Sequence, residues 1–343
     1  MRAALLYENS TELKIDNVND PALEPGEALV RVKKTGICHS DLNIIDGVIR
    51  PPSYPHVLGH EIAGVVEDAR PADQMDKTIL NELSLQGNRA VVYFYITCGR
   101  CEYCLRGREN LCYNYKRIGF ELWGGYAELV KVPIKNLVPL PKELDYNAAV
   151  LTDAGATSYH ALRKAGISMG DNVLVIGAGG LGTMILQIAK ASGASTVVID
   201  KVPAKLDYAK SLGADVVINI GEIDKPEKDI EPRSIDIAVD TVGLPETINL
   251  SLNLLKRDGK LIILGYSKQN VVNMITTKVI YDELNILGAR ASTKSELVKV
   301  LDLARRGLVK INVTNEYRFD EVNKSLNDLR RGVVVGRGVI TFP

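Results

Sequence analysis

A glycine-rich turn between an apolar strand and an apolar helix is the feature that most constrains the fold of this chain. The strand and the turn read Val173-Leu174-Val175-Ile176 and Gly177-Ala178-Gly179-Gly180-Leu181-Gly182. Gly177 permits a tight turn, Gly179 lets a pyrophosphate approach the backbone, and Gly182 lets the following helix pack closely on the strand. Asp200 ends the next predicted strand, at the expected spacing of about 20 residues. These features predict a dinucleotide site at a helix N-terminus.

Short apolar strands alternate with helical segments from residue 154 to residue 288. The predicted strands are residues 172–176, 196–200, 216–219, 235–240, 260–264 and 285–287. This alternation is typical of a doubly wound parallel sheet, which is an α/β fold. We therefore predict a second domain at 154–288.

The remaining residues are expected to form the first domain, from 1–153 and 289–343. Residues 1–153 are predicted to be mainly β, because Pro and Gly separate short β-branched runs. Helices are predicted at 295–306 and near 321–330, and a last strand at 338–342. The charged stretch 73–88 has no clear pattern and is expected to be an exposed loop or a short helix.

Charge and hydropathy exclude several classes of protein. The 343 residues carry 42 Lys and Arg against 42 Asp and Glu, so no basic excess indicates a nucleic-acid partner. Residues 172–189 are uncharged, but glycines interrupt them, so a membrane span is not expected. The first eight residues do not have the pattern of a signal peptide. The expected protein is cytoplasmic with a small-molecule partner.

Four of the five cysteines form one compact motif, Cys98-x2-Cys101-x2-Cys104-x7-Cys112. Four thiolates at this spacing can complete a tetrahedral shell around zinc with no open position, as in structural sites. C-x-x-C pairs in a chain without an export signal favour metal binding over disulfides. The motif predicts one structural Zn²⁺.

The fifth cysteine, Cys38, lies outside that motif. It belongs to Gly36-Ile37-Cys38-His39-Ser40-Asp41, and Gly59-His60-Glu61 follows about twenty residues later. A Cys and a His are two of the three protein ligands that a catalytic zinc requires. Gly64 stands where a zinc protease needs its second His, which excludes that reading. The residues alone leave open a second metal site or an ordinary buried cysteine and histidine.

Together these motifs resemble the zinc-containing medium-chain alcohol dehydrogenase family, specifically its tetrameric bacterial and archaeal members. The resemblance covers essentially the whole chain and includes Gly124-Gly125-Tyr126-Ala127-Glu128 and Gly336-Arg337-Gly338. It implies a GroES-like, mainly β catalytic domain and a Rossmann domain that binds NAD. It also implies two Zn²⁺ per chain, and hydride transfer between a primary or secondary alcohol and NAD that gives an aldehyde or ketone.

The resemblance implies a role for individual residues. Cys38 and His60 correspond to catalytic zinc ligands, and Asp153 stands where many members have a third ligand, a cysteine. Glu61 corresponds to an acid beside the zinc that can exchange with water as a ligand, and Ser40 to the hydroxyl that takes the alcohol proton. The implied cofactor contacts are His39 and Arg337 at the phosphates, Thr157 at the nicotinamide, Gly180 and Leu181 at the pyrophosphate, and Asp200 and Lys205 at the adenosine ribose.

The chain departs from the family pattern at two positions of the catalytic site. Asp153 replaces a cysteine, and a carboxylate oxygen is an acceptable but harder zinc ligand. Asn43 stands where the family's proton relay often has a histidine, and an amide cannot act as a base at neutral pH. The segment 68–87 also differs from the usual short family segment.

Cofactor choice and function retain alternatives at this stage. Asp200 would repel a 2′-phosphate and so favours NAD over NADP, although Lys201 weakens that preference. The acidic Asp153 keeps open an NAD-dependent polyol or sugar dehydrogenase, and a redox sensor that binds NAD and zinc without turnover is a third reading. We expect an alcohol, aldehyde or ketone as substrate and a homotetramer, with a dimer as the alternative.

Overall fold

A computed structural model describes residues 1–221, 230–231, 233–266 and 272–343. The chain divides into two compact units. The first comprises Met1–Asp153, Thr293–Arg306 and Val313–Pro343, and the second comprises Ala154–Ser292 and Gly307–Asn312. Residues 289–292 and 307–312, which the sequence assigned to the first domain, thus group with the second unit.

Ten strands and three α-helices form from the first 153 residues. The strands are β1 (Arg2–Leu6), β2 (Leu13–Asn17), β3 (Glu27–Ile37), β4 (His56–Val57), β5 (Glu61–Arg70), β6 (Arg89–Val92), β7 (Tyr95–Ile96), β8 (Lys116–Arg117), β9 (Leu129–Pro133) and β10 (Leu137–Pro139). The helices are α1 (His39–Ile45), α2 (Gln74–Leu85) and α3 (Glu102–Leu105). Short 3₁₀ helices lie at Glu109–Leu111, Ile134–Asn136 and Tyr146–Leu151.

Strands and helices alternate in the described part of the second unit. The helices are α4 (Ala154–Ala165), α5 (Gly180–Ala191), α6 (Pro203–Ser211), α7 (Pro245–Leu254) and α8 (Thr276–Tyr281). The strands are β11 (Asn172–Ile176), β12 (Ser195–Asp200), β13 (Val216–Asn219), β14 (Ile235–Asp240), β15 (Leu255–Ile263) and β16 (Asn285–Gly288). The last elements are α9 (Lys294–Arg305), β17 (Val313–Arg318), a 3₁₀ helix (Phe319–Glu321), α10 (Val322–Arg330) and β18 (Arg337–Thr341).

The main sheet of the first unit has the order β10-β6-β5-β3-β18-β17, and β9 also pairs with β3. Along β3, Ala28, Val30 and Val32 are fully buried while the residues between them are partly exposed. This alternation is that of an antiparallel strand with one face on the core. The sheet confirms the mainly β architecture expected for the first domain.

The sheet of the second unit has the order β13-β12-β11-β14-β15-β16, and every pair in it is parallel. Val173, Leu174 and Val175 of the central strand β11 are fully buried, as in parallel sheets covered on both faces. The strand order reverses between β11 and β14, where ligands of such folds bind beyond the carboxyl ends of the strands. The predicted doubly wound sheet is confirmed.

Segment 73–88, which the sequence left between a loop and a short helix, contains the twelve-residue helix α2. Asp73 caps it by accepting a hydrogen bond from the Asp76 amide, and Leu83 is buried. Residues 172–189 form β11, the glycine turn and most of α5. In the parts of the chain that the structure describes, no helix has the length and apolarity to cross a bilayer.

Candidate active site

Four candidate metal ligands converge in the first unit. Cys38 directly follows β3. Asp153 lies between the 3₁₀ helix Tyr146–Leu151 and the start of α4 at Ala154. Glu61 is the first residue of β5, and His60 immediately precedes it. One ligand atom from each of the four lies within 4.8 Å of the others. Asp153 Oδ2 lies 3.5 Å from His60 Nε2 and 3.7 Å from Cys38 Sγ.

The register of β3 and β5 creates the space for the Glu61 carboxylate. Gly36 pairs with Glu61 in the antiparallel ladder. A Cβ atom at position 36 would lie only 1.8 Å from Glu61 Oε2. A glycine is therefore required in the Gly36-Ile37-Cys38 motif for this acid to lie across the strand and join the cluster.

Arg337 is the counter-ion of this cluster. It is the first residue of β18, which pairs with the end of β3, and its side chain is 6% exposed. Its guanidinium lies 2.7 Å from Glu61 Oε1 and 3.5 Å from Asp153 Oδ2, and it donates to the Ile37 carbonyl at 3.3 Å. In the structure, Arg337 thus forms ion pairs with Glu61 and Asp153. Its contact with cofactor phosphates remains a prediction.

The buried charges shift the pKa values of the cluster. Burial opposes ionisation of the Cys38 thiol, but Arg337 and His60 outweigh it and lower the pKa of Cys38. Burial also opposes protonation of His60, yet Asp153, Asp41 and Cys38 raise its pKa well above the usual value. Burial raises the pKa of Glu61. Because the pKa values of His60 and Glu61 are raised, a metal ion bound at this cluster must displace protons from these two ligands.

The donor set fits zinc. A thiolate, an imidazole and a carboxylate are all zinc ligands, and three protein ligands with one open position characterise catalytic sites. The side chains of Cys38 and His60 are buried, and Asp153 is partly exposed. Glu61 Oε2 is buried and has no hydrogen-bond partner among the described residues. A buried carboxylate oxygen without a donor indicates a site that a cation completes.

Asp41 and Tyr126 support His60 and were not predicted as functional residues. Asp41 is fully buried, and its Oδ1 lies 3.5 Å from His60 Nδ1. Its Oδ2 accepts hydrogen bonds from the Cys38 amide at 2.9 Å and from the Tyr126 hydroxyl at 2.8 Å. A carboxylate beside the second nitrogen of a metal-binding histidine fixes its tautomer. Asp41 belongs to the motif that contains Cys38, and Tyr126 belongs to the motif Gly124–Glu128. An acid and a phenol in these motifs are a sequence feature from which the supporting role could have been predicted.

Helix α1 carries the residues predicted to handle the alcohol proton. Ser40 Oγ lies 3.7 Å from Cys38 Sγ, and Ser40 is partly exposed. His39 is exposed at the first position of the helix. Asn43 is partly buried on the same helix. The structure thus places the Ser40 hydroxyl beside the candidate metal cluster.

The four-cysteine motif forms a second candidate metal centre, also in the first unit. The Sγ atoms of Cys98, Cys101, Cys104 and Cys112 lie within 4.8 Å of one another. The Cys98–Cys104 and Cys101–Cys104 Sγ distances are 3.9 and 3.5 Å. A tetrahedron with Zn–S bonds of about 2.3 Å has edges of about 3.8 Å. Hydrogen bonds from backbone amides, of which that of Cys104 has the largest effect, lower the pKa of the Cys101 thiol to about 6. All five cysteines are free thiols.

The glycine turn of the second unit has the geometry that its sequence predicts. Gly177 has φ +92°, and a Cβ atom at Gly182 would lie 1.7 Å from the Gly177 carbonyl oxygen. Apart from its own chain neighbours, a Cβ atom at Gly179 would meet no atom of the described residues within 4 Å. Helix α5 begins at Gly180, so the amides of Gly180 and Leu181 lie in its first turn. The turn therefore leaves open space in front of a helix N-terminus, as a pyrophosphate requires.

Asp200 lies beside this turn. Its Oδ2 accepts a hydrogen bond from the Ala178 amide at 2.7 Å, and its Oδ1 accepts from the amides of Lys201 and Val202. Lys205 is partly buried on α6, and Thr157 is buried on α4. The structure thus brings Asp200 to the turn, whereas the contacts predicted for Lys205 and Thr157 remain predictions.

A zinc-type donor cluster and a dinucleotide turn in one chain define the class of zinc-dependent dehydrogenases. The family model described as "Alcohol dehydrogenase GroES-like domain" matches residues 24–142, and "Zinc-binding dehydrogenase" matches residues 180–306. An alcohol dehydrogenase of Geobacillus stearothermophilus is 32% identical over 99% of this chain and 98% of its own length. An NAD-dependent alcohol dehydrogenase of Sulfurisphaera tokodaii is 32% identical over 99% of both chains.

Solved structures agree with these matches. The alcohol dehydrogenase of Aeropyrum pernix superposes with a TM-score of 0.86 at 30% identity, covering 99% of this chain and 100% of that one. The acetophenone reductase of Geotrichum candidum, in complex with NAD, gives 0.88 at 32% identity, covering 99% and 96%. The chain belongs to the zinc-containing medium-chain alcohol dehydrogenase family. The predicted family, fold class and enzyme class are confirmed.

Proposed function

We propose that this enzyme transfers a hydride between an alcohol and NAD at a zinc held by Cys38, His60 and Asp153. The observation that carries this proposal is the convergence of these three donors within 4.8 Å in a mostly buried cluster. Bound there, zinc would supply Lewis acidity that favours loss of the alcohol proton. The reaction would give an aldehyde or a ketone.

The residues of the chain would hold the ion and move the proton. Asp41 orients His60, and Glu61 stands beside the ion as an alternative ligand, held in place by Arg337. Ser40 Oγ would accept the alcohol proton. Asn43 cannot take the proton further, so we propose that it passes from Ser40 to water.

We propose NAD as the preferred cofactor. The amides of Gly180 and Leu181, at the N-terminus of α5, would hold the pyrophosphate. Asp200 would accept hydrogen bonds from the adenosine ribose and repel a 2′-phosphate. Lys205 would contact the same ribose, Thr157 the nicotinamide, and His39 the phosphates.

We assign catalysis to the first unit and cofactor binding to the second, so that residues 289–292 and 307–312, predicted in the first domain, go with the cofactor-binding unit. We also propose a cytoplasmic homotetramer. Free thiols in two zinc-type clusters fit a reducing compartment. Sedimentation would test the tetramer, and a dimer would correct it.

An apolar wall favours alcohols with hydrophobic substituents over polyols. The rings of Phe94 and Phe120 lie 5.2 and 4.9 Å from the His60 ring. Aromatic carbon cannot hydrogen-bond the additional hydroxyls of a polyol. Asp153, as an acidic ligand, is the observation that keeps the polyol dehydrogenase as the second candidate.

The test is reduction of NAD and of NADP with primary, secondary, aromatic and polyhydric alcohols, with and without a chelator. We expect chelator-sensitive NAD reduction, fastest with apolar alcohols. A preference for polyols would favour the second candidate. Binding of NAD and zinc without turnover would favour a redox sensor. Turnover that survives complete zinc removal would contradict the proposed mechanism.

A further inference from the structure

The loop after β8 packs against the imidazole of His60. Phe120, in this loop, is 5% exposed, and its ring centroid lies 4.9 Å from that of His60. Phe94 lies 5.2 Å from the same imidazole, and the two phenyl rings are 6.3 Å apart. Two aromatic rings therefore confine the imidazole.

Arg117 covers the Phe120 ring. Its guanidinium carbon lies 4.0 Å from the ring centroid. Glu121 holds this guanidinium through two hydrogen bonds, with Nε–Oε2 and NH2–Oε1 distances of 3.0 and 2.6 Å. The Arg117 amide also donates to Glu121 Oε2 at 2.7 Å. Only 15% of the Arg117 side chain is exposed, so this cation–π contact is largely shielded from water.

The two rings contribute to the orientation of His60 because its polar contact with Asp41 is long. The closest approach of Asp41 to His60 Nδ1 is 3.5 Å, longer than a good hydrogen bond, and Nδ1 has no partner with hydrogen-bond geometry among the described residues. Asp41 alone therefore holds the imidazole only weakly, and its orientation also depends on the rings that confine it. Phe120 in turn depends on Arg117, whose planar guanidinium is fixed by a bidentate carboxylate.

We propose that Arg117 and Glu121 are a positioning pair that fixes His60 for metal binding by clamping Phe120 against it. This inference rests on the proposed function only in taking the Cys38, His60 and Asp153 cluster as a zinc site. Outer partners of metal ligands typically contribute about 10-fold to 100-fold in metal affinity. Loss of the clamp should weaken zinc binding at this cluster about tenfold.

The four-cysteine site provides an internal control for local unfolding. Strand β8 contains Arg117 and pairs with β7, and these two strands flank the four-cysteine segment. Disruption of the whole region would weaken both zinc sites. A positioning role predicts loss at the His60 site alone.

The experiment compares Arg117→Leu and Glu121→Gln with the wild-type enzyme. Leucine removes the cation–π contact and the ion pair, and glutamine removes only the charge that fixes the guanidinium. Arg31→Leu is the matched control, because Arg31 forms a two-point pair with Glu67 on β5 and lies over no aromatic ring of the described residues. Zinc affinity is measured by competition with a chromogenic chelator. The Cys38→Ser protein identifies the signal of the four-cysteine site.

We expect about tenfold weaker zinc at the His60 site in Arg117→Leu, a smaller loss in Glu121→Gln, and wild-type affinities in Arg31→Leu. Unchanged affinity in Arg117→Leu, or equal losses at both sites, would overturn the proposal. If Arg117→Leu does not fold, Glu121→Gln decides alone by the same criteria. Zinc affinity is read without substrate, so absence of alcohol turnover would refute the proposed function and leave this result intact.

Discussion

At the scale of single residues, Asp153 is the position where the site departs most from a thiolate-rich zinc centre. Asp153→Asn keeps the shape of the side chain but removes its negative charge. We expect the zinc content to fall from two ions to one per chain and NAD reduction to fall at least about 100-fold, since a direct ligand should matter no less than its supports. Metal analysis and steady-state kinetics would check both.

Asp153→Cys is the matched variant, because a thiolate is also a zinc ligand. We expect it to retain both ions and measurable turnover. An Asp153→Asn protein with two tightly held zinc ions and full turnover would show that Asp153 is not a ligand.

His56 predicts an acid-sensitive contribution to stability. It is 1% exposed on β4, and burial lowers its pKa to about 4 although a hydrogen bond to the Gly119 backbone opposes this. The unfolded imidazole titrates near 6.5, so between these values only the unfolded state takes up the proton. The free energy of unfolding should therefore fall as the pH drops from about 6.5 to 4, by about 3 kcal/mol.

The His56 contribution would be measured from urea unfolding of the wild type and of His56→Gln between pH 4 and 7.5. We expect a shallower pH dependence for the variant, whatever its absolute stability. Identical slopes for the two proteins would show that His56 is protonated without penalty in the folded state.

The role of a residue could be predicted from the sequence where a short motif around that residue indicates it. Cys38 and His60 stand in short motifs, and the structure brings both into the cluster that the resemblance implies, while their role as zinc ligands stays a prediction. The position of Arg337 against Glu61 depends on the pairing of β18 with β3, which joins segments 300 residues apart. No local sequence pattern encodes that strand pairing. The sequence therefore could not identify Arg337 as the counter-ion of Glu61 and Asp153.

At the scale of elements, the glycine turn was predictable because each glycine answers a constraint within a few residues. Gly177 needs its positive φ, and Gly182 lies against the Gly177 carbonyl. For helix α2, by contrast, the sequence did not distinguish a loop from a short helix. It buries only Asp76 and Leu83, so its apolar face is too sparse to produce a clear helical period.

Two alanine substitutions in this turn should separate folding from cofactor binding. Gly182→Ala would place a methyl group 1.7 Å from the Gly177 carbonyl oxygen, so α5 must move away from β11. We expect a loss of stability of about 1–3 kcal/mol or more and weaker NAD binding. The methyl group of Gly179→Ala meets no atom within 4 Å beyond its chain neighbours, in the part of the chain that the structure describes. It should fold normally and yet bind NAD at least about tenfold more weakly, because its methyl group would occupy the pyrophosphate space.

Thermal unfolding and NAD titration of both proteins would check these outcomes. Normal NAD affinity in Gly179→Ala would move the pyrophosphate away from this turn. Normal stability in Gly182→Ala would show that the helix and the strand tolerate a wider separation.

At the scale of the whole molecule, the two candidate zinc centres lie in the same unit but should affect different properties. The four-cysteine site would offer no open position to a substrate, whereas the proposed ligands Cys38, His60 and Asp153 would leave a fourth position open. Cys38, His60 and Glu61 stand at the ends of strands of the main sheet, whereas the four cysteines lie in the segment between β7 and β8. Loss of each ion should therefore have a distinct consequence.

Cys38→Ser and Cys104→Ser test this division. Each protein should bind one zinc ion per chain. We expect Cys38→Ser to lose alcohol-dependent NAD reduction while retaining most of its thermal stability, because the main sheet is held by its own hydrogen bonds. Cys104→Ser should lower the unfolding temperature and accelerate inactivation on heating, while initial turnover at low temperature persists, because a structural zinc contributes folding energy and no chemistry. Immediate loss of turnover in Cys104→Ser at full folding, or wild-type turnover in Cys38→Ser, would reverse the assignment of the two sites.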